Sequence, residues 1–214
     1  MIDLSQIPNL HVIDHPLIKT RMAKLRAVGT TPGEFRDHLG TIGRLMAYRV
    51  TEDLPLTELE VETPLEVMTG HQPARPVVVV SILRAGLGMV EPFQQLLPEA
   101  YFGHIGLARN EETLQPESYY CKLPPTLSEA DVFLVDPMLA TGNSSIEATS
   151  QLKAEGASRL RLVCLVSAPE GIQKYHEAHP DVPIYTAVVD RGLNEKGYIV
   201  PGLGDAGDRY FGTL

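Results

Sequence analysis

Cysteine is scarce in this chain, and basic residues are outnumbered. Only two cysteines occur in 214 residues, Cys121 and Cys164, in separate segments. Two thiols build neither a disulfide scaffold nor a Cys-based zinc site, and they fit a reducing cytosol. Lys and Arg number 18 against 27 Asp and Glu, a formal net charge of −9. A non-specific grip on nucleic acid or anionic lipid needs basic surface, so that class is disfavoured. A small anion needs only a few well-placed donors and stays open. Long apolar runs are missing too. The strongest, Val77 to Leu83, is far too short to span a bilayer. The first ten residues carry Asp3 and no apolar core, unlike a signal peptide.

Several motifs are also absent. No Gly-Lys dipeptide occurs, so there is no Walker phosphate loop. No G-x-S-x-G elbow occurs, so a hydrolase of that type lacks its nucleophile. One G-x-G-x-x-G does occur, Gly202 to Gly207, but too little chain follows to complete a dinucleotide-binding βαβ unit. The histidines are weak signals: His11 and His15 flank a helix start, and His176 and His179 sit at a helix end.

What is present is an alternation. The periodicity predicts amphipathic helices over His15–Val28 and Glu34–Val50, with Leu54–Met68 as an edge hairpin. The two helices form an arm that packs on a core or on another subunit. From Pro76 onward, strands are expected at Val77–Leu83, Tyr101–Ala108, Asp131–Val135, Arg159–Ser167 and Val182–Val189. Helices separate them at Gly86–Leu97, Ser144–Glu155 and Pro169–His179. This rhythm means an α/β fold with a mostly parallel sheet and flanking helices. We read one domain: residues 1–70 as arm and edge strands, 76–190 as the α/β core, and 191–214 as a C-terminal segment. Ligands in such sheets lie at the carboxyl ends of the strands.

Four loops there carry chemistry-bearing residues. Val132 to Ser145 reads as a buried strand ending in Asp136, a loop of small residues, and a helix start. Ser144 and Glu147 have capping-box spacing. Free N–H groups and hydroxyls at Thr141, Gly142, Asn143 and Ser144 outline a phosphate cradle. Asp136 stands where sugar hydroxyls could meet it. Arg84, beside Gly86 at the tip of another strand, suits phosphate oxygens or simply covers the strand end. Gly106 to Pro124, with Arg109, Tyr119, Tyr120 and Lys122, reads as a hairpin closing over a site, or as a solvated one. Tyr198 to Gly212 is glycine-rich and apolar, with no regular element expected, and lets backbone approach a flat ligand.

Together these residues resemble the uracil phosphoribosyltransferase family over nearly the whole chain. The resemblance rests on His15-Pro16-Leu17, Ser81 to Gly86, Arg109 with Glu112 to Pro116, Tyr119-Tyr120, and Lys122 to Pro124. It continues through Asp136-Pro137-Met138-Leu139-Ala140-Thr141-Gly142 and Tyr198 to Thr213. The family usually has glycine where Asn143 stands, a residue that tolerates a left-handed backbone, and tyrosine where Cys121 stands. The resemblance implies a type I phosphoribosyltransferase-like fold. It implies that uracil and 5-phosphoribosyl 1-diphosphate give UMP and diphosphate with Mg²⁺. Pro137, Met138, Leu139 and Ala140 to Ser144 would then hold the phosphoribosyl group, and Asp136 its hydroxyls. Arg84 and Arg109 would bind diphosphate. Asp205 would lie near diphosphate and Mg²⁺, with no direct protein ligand to the metal. Ile199, Gly204, Asp205 and Ala206 would read uracil through backbone groups. The implied assembly is a homodimer or homotetramer in the cytoplasm, with GTP as an activator in some relatives. Two alternatives stay open: a UMP-sensing RNA-binding regulator, which the charge opposes, and a transferase for another base.

Overall fold

The computed structural model describes residues 4–109 and 116–213, with backbone only at Arg109 and Pro116. The expectations on the Arg109 side chain and on Glu112 to Gln115 fall outside the described residues. Among the described residues the core is an eight-stranded sheet. Its strands are β1 (Leu10–Val12), β4 (Val77–Leu83), β5 (Tyr101–Arg109), β6 (Pro116–Lys122), β7 (Asp131–Val135), β8 (Met138–Leu139), β9 (Leu160–Ser167) and β10 (Ile184–Val189). The order is β1-β10-β9-β7-β4-β5-β6, with β8 also on β9. Every pairing is parallel except β5 with β6. Central β4 is Val-Val-Val-Val-Ser-Ile-Leu and buried almost throughout, as a strand covered on both faces must be.

Helices α1 (Pro16–Arg26) and α2 (Pro32–Val50) do not stand away from this sheet. Ile18, Met22, Leu25, Phe35, Leu39, Ile42 and Met46 share one apolar cluster with Val79, Phe133 and Val163. The N-terminal helices therefore cover one face of the core. Start signals are explicit in α2: Thr31 accepts from the Glu34 N–H, and the Glu34 carboxylate accepts from the Thr31 N–H.

Three expectations change. The hairpin β2 (Leu56–Glu62) and β3 (Val67–Pro73) is antiparallel but forms its own two-stranded sheet, off the main sheet's edge. Glu58, Glu60 and Glu62 alternate along β2 with one narrow apolar stripe, too little to bury against the core. The main sheet's edge is instead taken by three-residue β1, too short for its periodicity to show. Asn9 holds it in register, donating to the Pro180 and Val182 carbonyls at 3.0 Å each.

The third change is in the C-terminal segment, which carries regular elements. Gly192–Leu193 (β11) pairs with Ile199–Val200 (β12), and Ala206–Phe211 forms α6. Asp205 caps α6 by accepting from the Asp208 N–H at 2.9 Å, and Gly212 closes it at φ 72°. Glycine density hides a helix whose N-cap and C-terminal glycine are both present in the sequence.

Candidate active site

β7 ends at the sheet's carboxyl edge, and the chain turns at Asp136 into the loop that begins α4 (Asn143–Ala154). The expected capping box at Ser144 and Glu147 does not form. The N-cap is Gly142, at φ 82°, with no side-chain cap. Ser144 already lies inside the first turn, so its hydroxyl cannot serve from the N-cap position. Glu147 accepts from the Gln151 amide at 2.9 Å instead of reaching back. Asn143 is the first helical residue, so the left-handed conformation belongs to Gly142 alone. The contrast with α2 is chemical: α2 satisfies its first N–H groups with Thr31, whereas α4 leaves its own without a side-chain cap. An uncapped N-terminus facing a cavity suits a phosphate.

Two cavities meet at this loop. The first, about 300 Å³, is lined by Arg84, Ala85, Leu107, Asp136 and Gly142, among others. The second, about 790 Å³, is bounded by Glu195 to Ile199. Met138, Ala140, Thr141, Asn143, Ser144 and Asp205 line both. The structure thus brings together Asp136, Arg84, the loop, Asp205 and Ile199. Pro137 and Leu139 turn the other way. The Pro137 carbonyl accepts from Leu165 and Val166 N–H at 3.0 Å, and the Leu139 carbonyl from Ala168 N–H at 2.9 Å. Gly204 and Ala206 line neither cavity; Gly204 turns the chain at φ 80° and Ala206 is buried.

Asp136 is half-buried beside buried Cys164. Burial pushes its carboxyl up to about 7, opposed by the hydrogen bond it accepts from the Met138 N–H. Burial, then the nearby Asp136, push the Cys164 thiol well up, so it is an inert neighbour. Arg84 follows β4, and the Leu83–Arg84 peptide bond is cis. Its guanidinium donates to Asp208 at 3.0 Å. The Thr213 hydroxyl and Arg84 hold the Asp208 carboxyl below its ordinary range.

Sequence reasoning missed the supports of the C-terminal segment. Arg26 meets Asp190 through two contacts, 2.8 and 2.7 Å, and also donates to the Gly202 carbonyl at 2.7 Å. Asp190 in turn accepts from the Gly202 N–H at 2.8 Å. Arg209 donates to the Leu203 and Ala27 carbonyls, at 2.7 and 2.6 Å, and packs over Phe35. Two arginines and one buried carboxylate therefore set the backbone path between Ile199 and Asp205. No local pattern marks Arg26 or Asp190, because they lie far apart in the chain.

Among the described residues, no group of three or more His, Cys, Asp or Glu could cage a metal. Asp136 and Asp205 line the first cavity together, and two carboxylates beside a phosphate loop fit an ion that keeps much of its water and is carried by a polyphosphate, as Mg²⁺ usually is. No helix among them is long and apolar enough to cross a membrane.

The uracil phosphoribosyltransferase family model matches residues 12–213. A uracil phosphoribosyltransferase of Acidovorax sp. strain JS42 is 52% identical over 206 residues, covering 96% of this chain and 99% of the relative. The solved structure of the AQ2163 protein from Aquifex aeolicus superposes with a TM-score of 0.90 at 37% identity, covering 94% of this chain and 97% of that one. An adenine phosphoribosyl transferase from Trypanosoma brucei shares the fold, with a TM-score of 0.62 at 16% identity over 92% of this chain and 88% of its own. The α/β sheet, the uncapped loop at its carboxyl edge and these likenesses agree: the chain belongs to the uracil phosphoribosyltransferase family.

Proposed function

We infer that this chain transfers the phosphoribosyl group of 5-phosphoribosyl 1-diphosphate to uracil, giving UMP and diphosphate. One observation carries the reading beyond family membership. A single loop, Ala140 to Ser144, is shared by two cavities, one reaching Arg84 and Asp136, the other reaching Ile199. A phosphoribosyl donor needs this layout, with its 5′-phosphate at the loop, its diphosphate on one side and the acceptor base on the other.

The residues divide the work accordingly. Thr141 to Ser144 hold the 5′-phosphate with N–H groups and hydroxyls. Asp136 holds the ribose hydroxyls, and its charge opposes the positive charge that builds on the sugar as the C1–diphosphate bond breaks, the C1–N1 bond to uracil forms and the N1 proton leaves with the diphosphate or to water. Arg84 and Arg109 take the negative charge of the leaving diphosphate. Backbone groups from Ile199 to Ala206 read the uracil edge, Gly204 and Ala206 by shaping that path. Catalysis comes from positioning and electrostatics. Mg²⁺, bound through diphosphate oxygens and water near Asp205, would neutralise part of the diphosphate charge.

Exposed Val12, Leu17 and Tyr48 on the N-terminal elements and Leu65, Val67 and Met68 around the hairpin support a homodimer or larger assembly. Reading the chain as cytoplasmic follows from its free thiols. GTP activation is carried only by the family resemblance. The test is direct: purified protein with Mg²⁺ and 5-phosphoribosyl 1-diphosphate should release diphosphate only when uracil is added. Release driven equally by adenine, or none with any base, overturns the reading.

A further inference from the structure

Helix α5 (Pro169–Ala178) backs the phosphate loop more closely than helix packing alone requires. Gly171 has no side chain, and a Cβ there would overlap the Ala140 carbonyl oxygen and stand 2.9 Å from that of Leu139. This close approach brings the next turn of α5 alongside the first residue of α4. There the Lys174 ammonium donates to the Asn143 side-chain oxygen at 2.5 Å. One turn earlier, Glu170 accepts from the Leu193 N–H at 3.2 Å, tying the same helix to the segment beside the second cavity.

Lys174 is exposed, and nothing in the core needs it. A cation at a helix N-terminus opposes the helix dipole, so stability alone does not favour this placement. A bound phosphate dianion reverses that sign. Asn143 lines both cavities, and its side chain is anchored to α5 by this bond. The bond keeps a bulkier residue than glycine turned toward α5, and it adds positive charge behind the cradle.

We propose that Lys174 is a positioning residue for the phosphate loop, acting through Asn143 to hold the first turn of α4 in its phosphate-binding form. This rests on the reading that the loop binds a 5′-phosphate. The juxtaposition makes Asn143 and Lys174 a coupled pair: asparagine in the loop is accommodated because lysine holds it.

Five proteins test this: the parent, Lys174→Ala, Lys174→Arg, Asn143→Gly, and the Lys174→Ala, Asn143→Gly double variant. Ribose 5-phosphate binding is measured by calorimetry, and the steady-state constants are determined with uracil. Lys174→Ala should weaken ribose 5-phosphate binding and raise KM for 5-phosphoribosyl 1-diphosphate about three- to ten-fold, the worth of one hydrogen bond. Its kcat and KM for uracil should stay within about two-fold of the parent, and Lys174→Arg should restore most of the loss. In the Asn143→Gly background, removing Lys174 should cost clearly less than in the parent, because the hydrogen bond is already gone and only the charge remains to be lost. Unchanged ribose 5-phosphate binding in Lys174→Ala overturns the proposal, and so does full additivity in the double variant. Parent protein that binds ribose 5-phosphate but does not use uracil overturns the base assignment and leaves this inference standing. Parent protein that does not bind ribose 5-phosphate overturns the phosphate-loop reading and this inference with it.

Discussion

Arg84 and Asp208 lie 3.0 Å apart and join the carboxyl end of β4 to α6, across 124 residues of chain. The arginine proposed to meet diphosphate is thus already paired, with a carboxylate that Thr213 also contacts at 2.7 Å. Side-chain exposures of 58% and 33% leave this pair well solvated, so its worth to stability is small. Arg84→Ala should therefore leave the unfolding free energy nearly unchanged. It should lower kcat/KM for 5-phosphoribosyl 1-diphosphate by about two orders of magnitude, through lost stabilisation of the leaving group. Chemical denaturation and steady-state kinetics on one preparation read both. A variant with parental kinetics removes Arg84 from the leaving-group role.

Asp136 predicts a pH dependence whose sign is fixed. Its carboxyl, ordinarily at 3.8, is pushed up to about 7 by burial. Between those values the folded chain holds a proton that the unfolded chain has released, so stability falls as pH rises. The contribution is complete below about pH 4 and lost above about pH 7. Asp136→Asn removes it. Relative to the parent, the variant should melt clearly higher at pH 8 and at nearly the same temperature at pH 4. Its kcat/KM should fall by about 10² or more, since a neutral amide cannot oppose charge on the sugar. An equal melting difference at both pH values would contradict the raised carboxyl.

Gly171 tests the seating of α5. Alanine there forces its methyl group against the Ala140 and Leu139 carbonyls, and neither is a flexible side chain that can move aside. Gly171→Ala should cost about 1–3 kcal/mol in stability, as overpacking typically does. It should also raise KM for 5-phosphoribosyl 1-diphosphate, because the displaced backbone is the loop itself. Unchanged values of both would mean that α5 has slack against the loop.

Base choice follows from backbone donors and acceptors. Uracil offers an acceptor at position 4 and a donor at N3, and cytosine reverses both. Two mismatches leave buried backbone groups unpaired at ~1–3 kcal/mol each, so uracil should be preferred by about 10²–10⁴ in kcat/KM. Gly204→Pro should abolish this, because φ 80° is closed to proline. Ile199→Ala should do less harm. Asp190→Ala should act like Gly204→Pro from a distance, since it strands Arg26 and releases Gly202. It should destabilise by about 3 kcal/mol as well. Competition between uracil and cytosine in a single assay measures all four proteins, parent included.

The order of elements was legible in the chain. Val77–Leu83, Asp131–Val135 and the run from Arg159 to Ser167 announce buried parallel strands by their apolar continuity, and the apolar period from Phe35 to Val50 announces α2. Asp136 and Ala140 to Ser144 were legible too, because a strand tip, small residues and a helix start are adjacent in sequence. β1 and α6 were not read: three residues carry no period, and glycine masks a short capped helix.

Local chemistry thus decided which segments are strands, which are helices and which loop offers N–H groups, since periodicity and turn residues act over a few neighbours. Tertiary structure alone decided the rest. Sheet order laid β10 beside β9, and α1 shares a cavity wall with the end of β10, which brought Arg26 to Asp190. The same packing set α5 against α4, which brought Lys174 to Asn143. It shields Asp136 from water enough to lift its carboxyl to about 7. Burial and long-range pairing depend on what surrounds a residue in space, and a one-dimensional pattern carries no record of those surroundings.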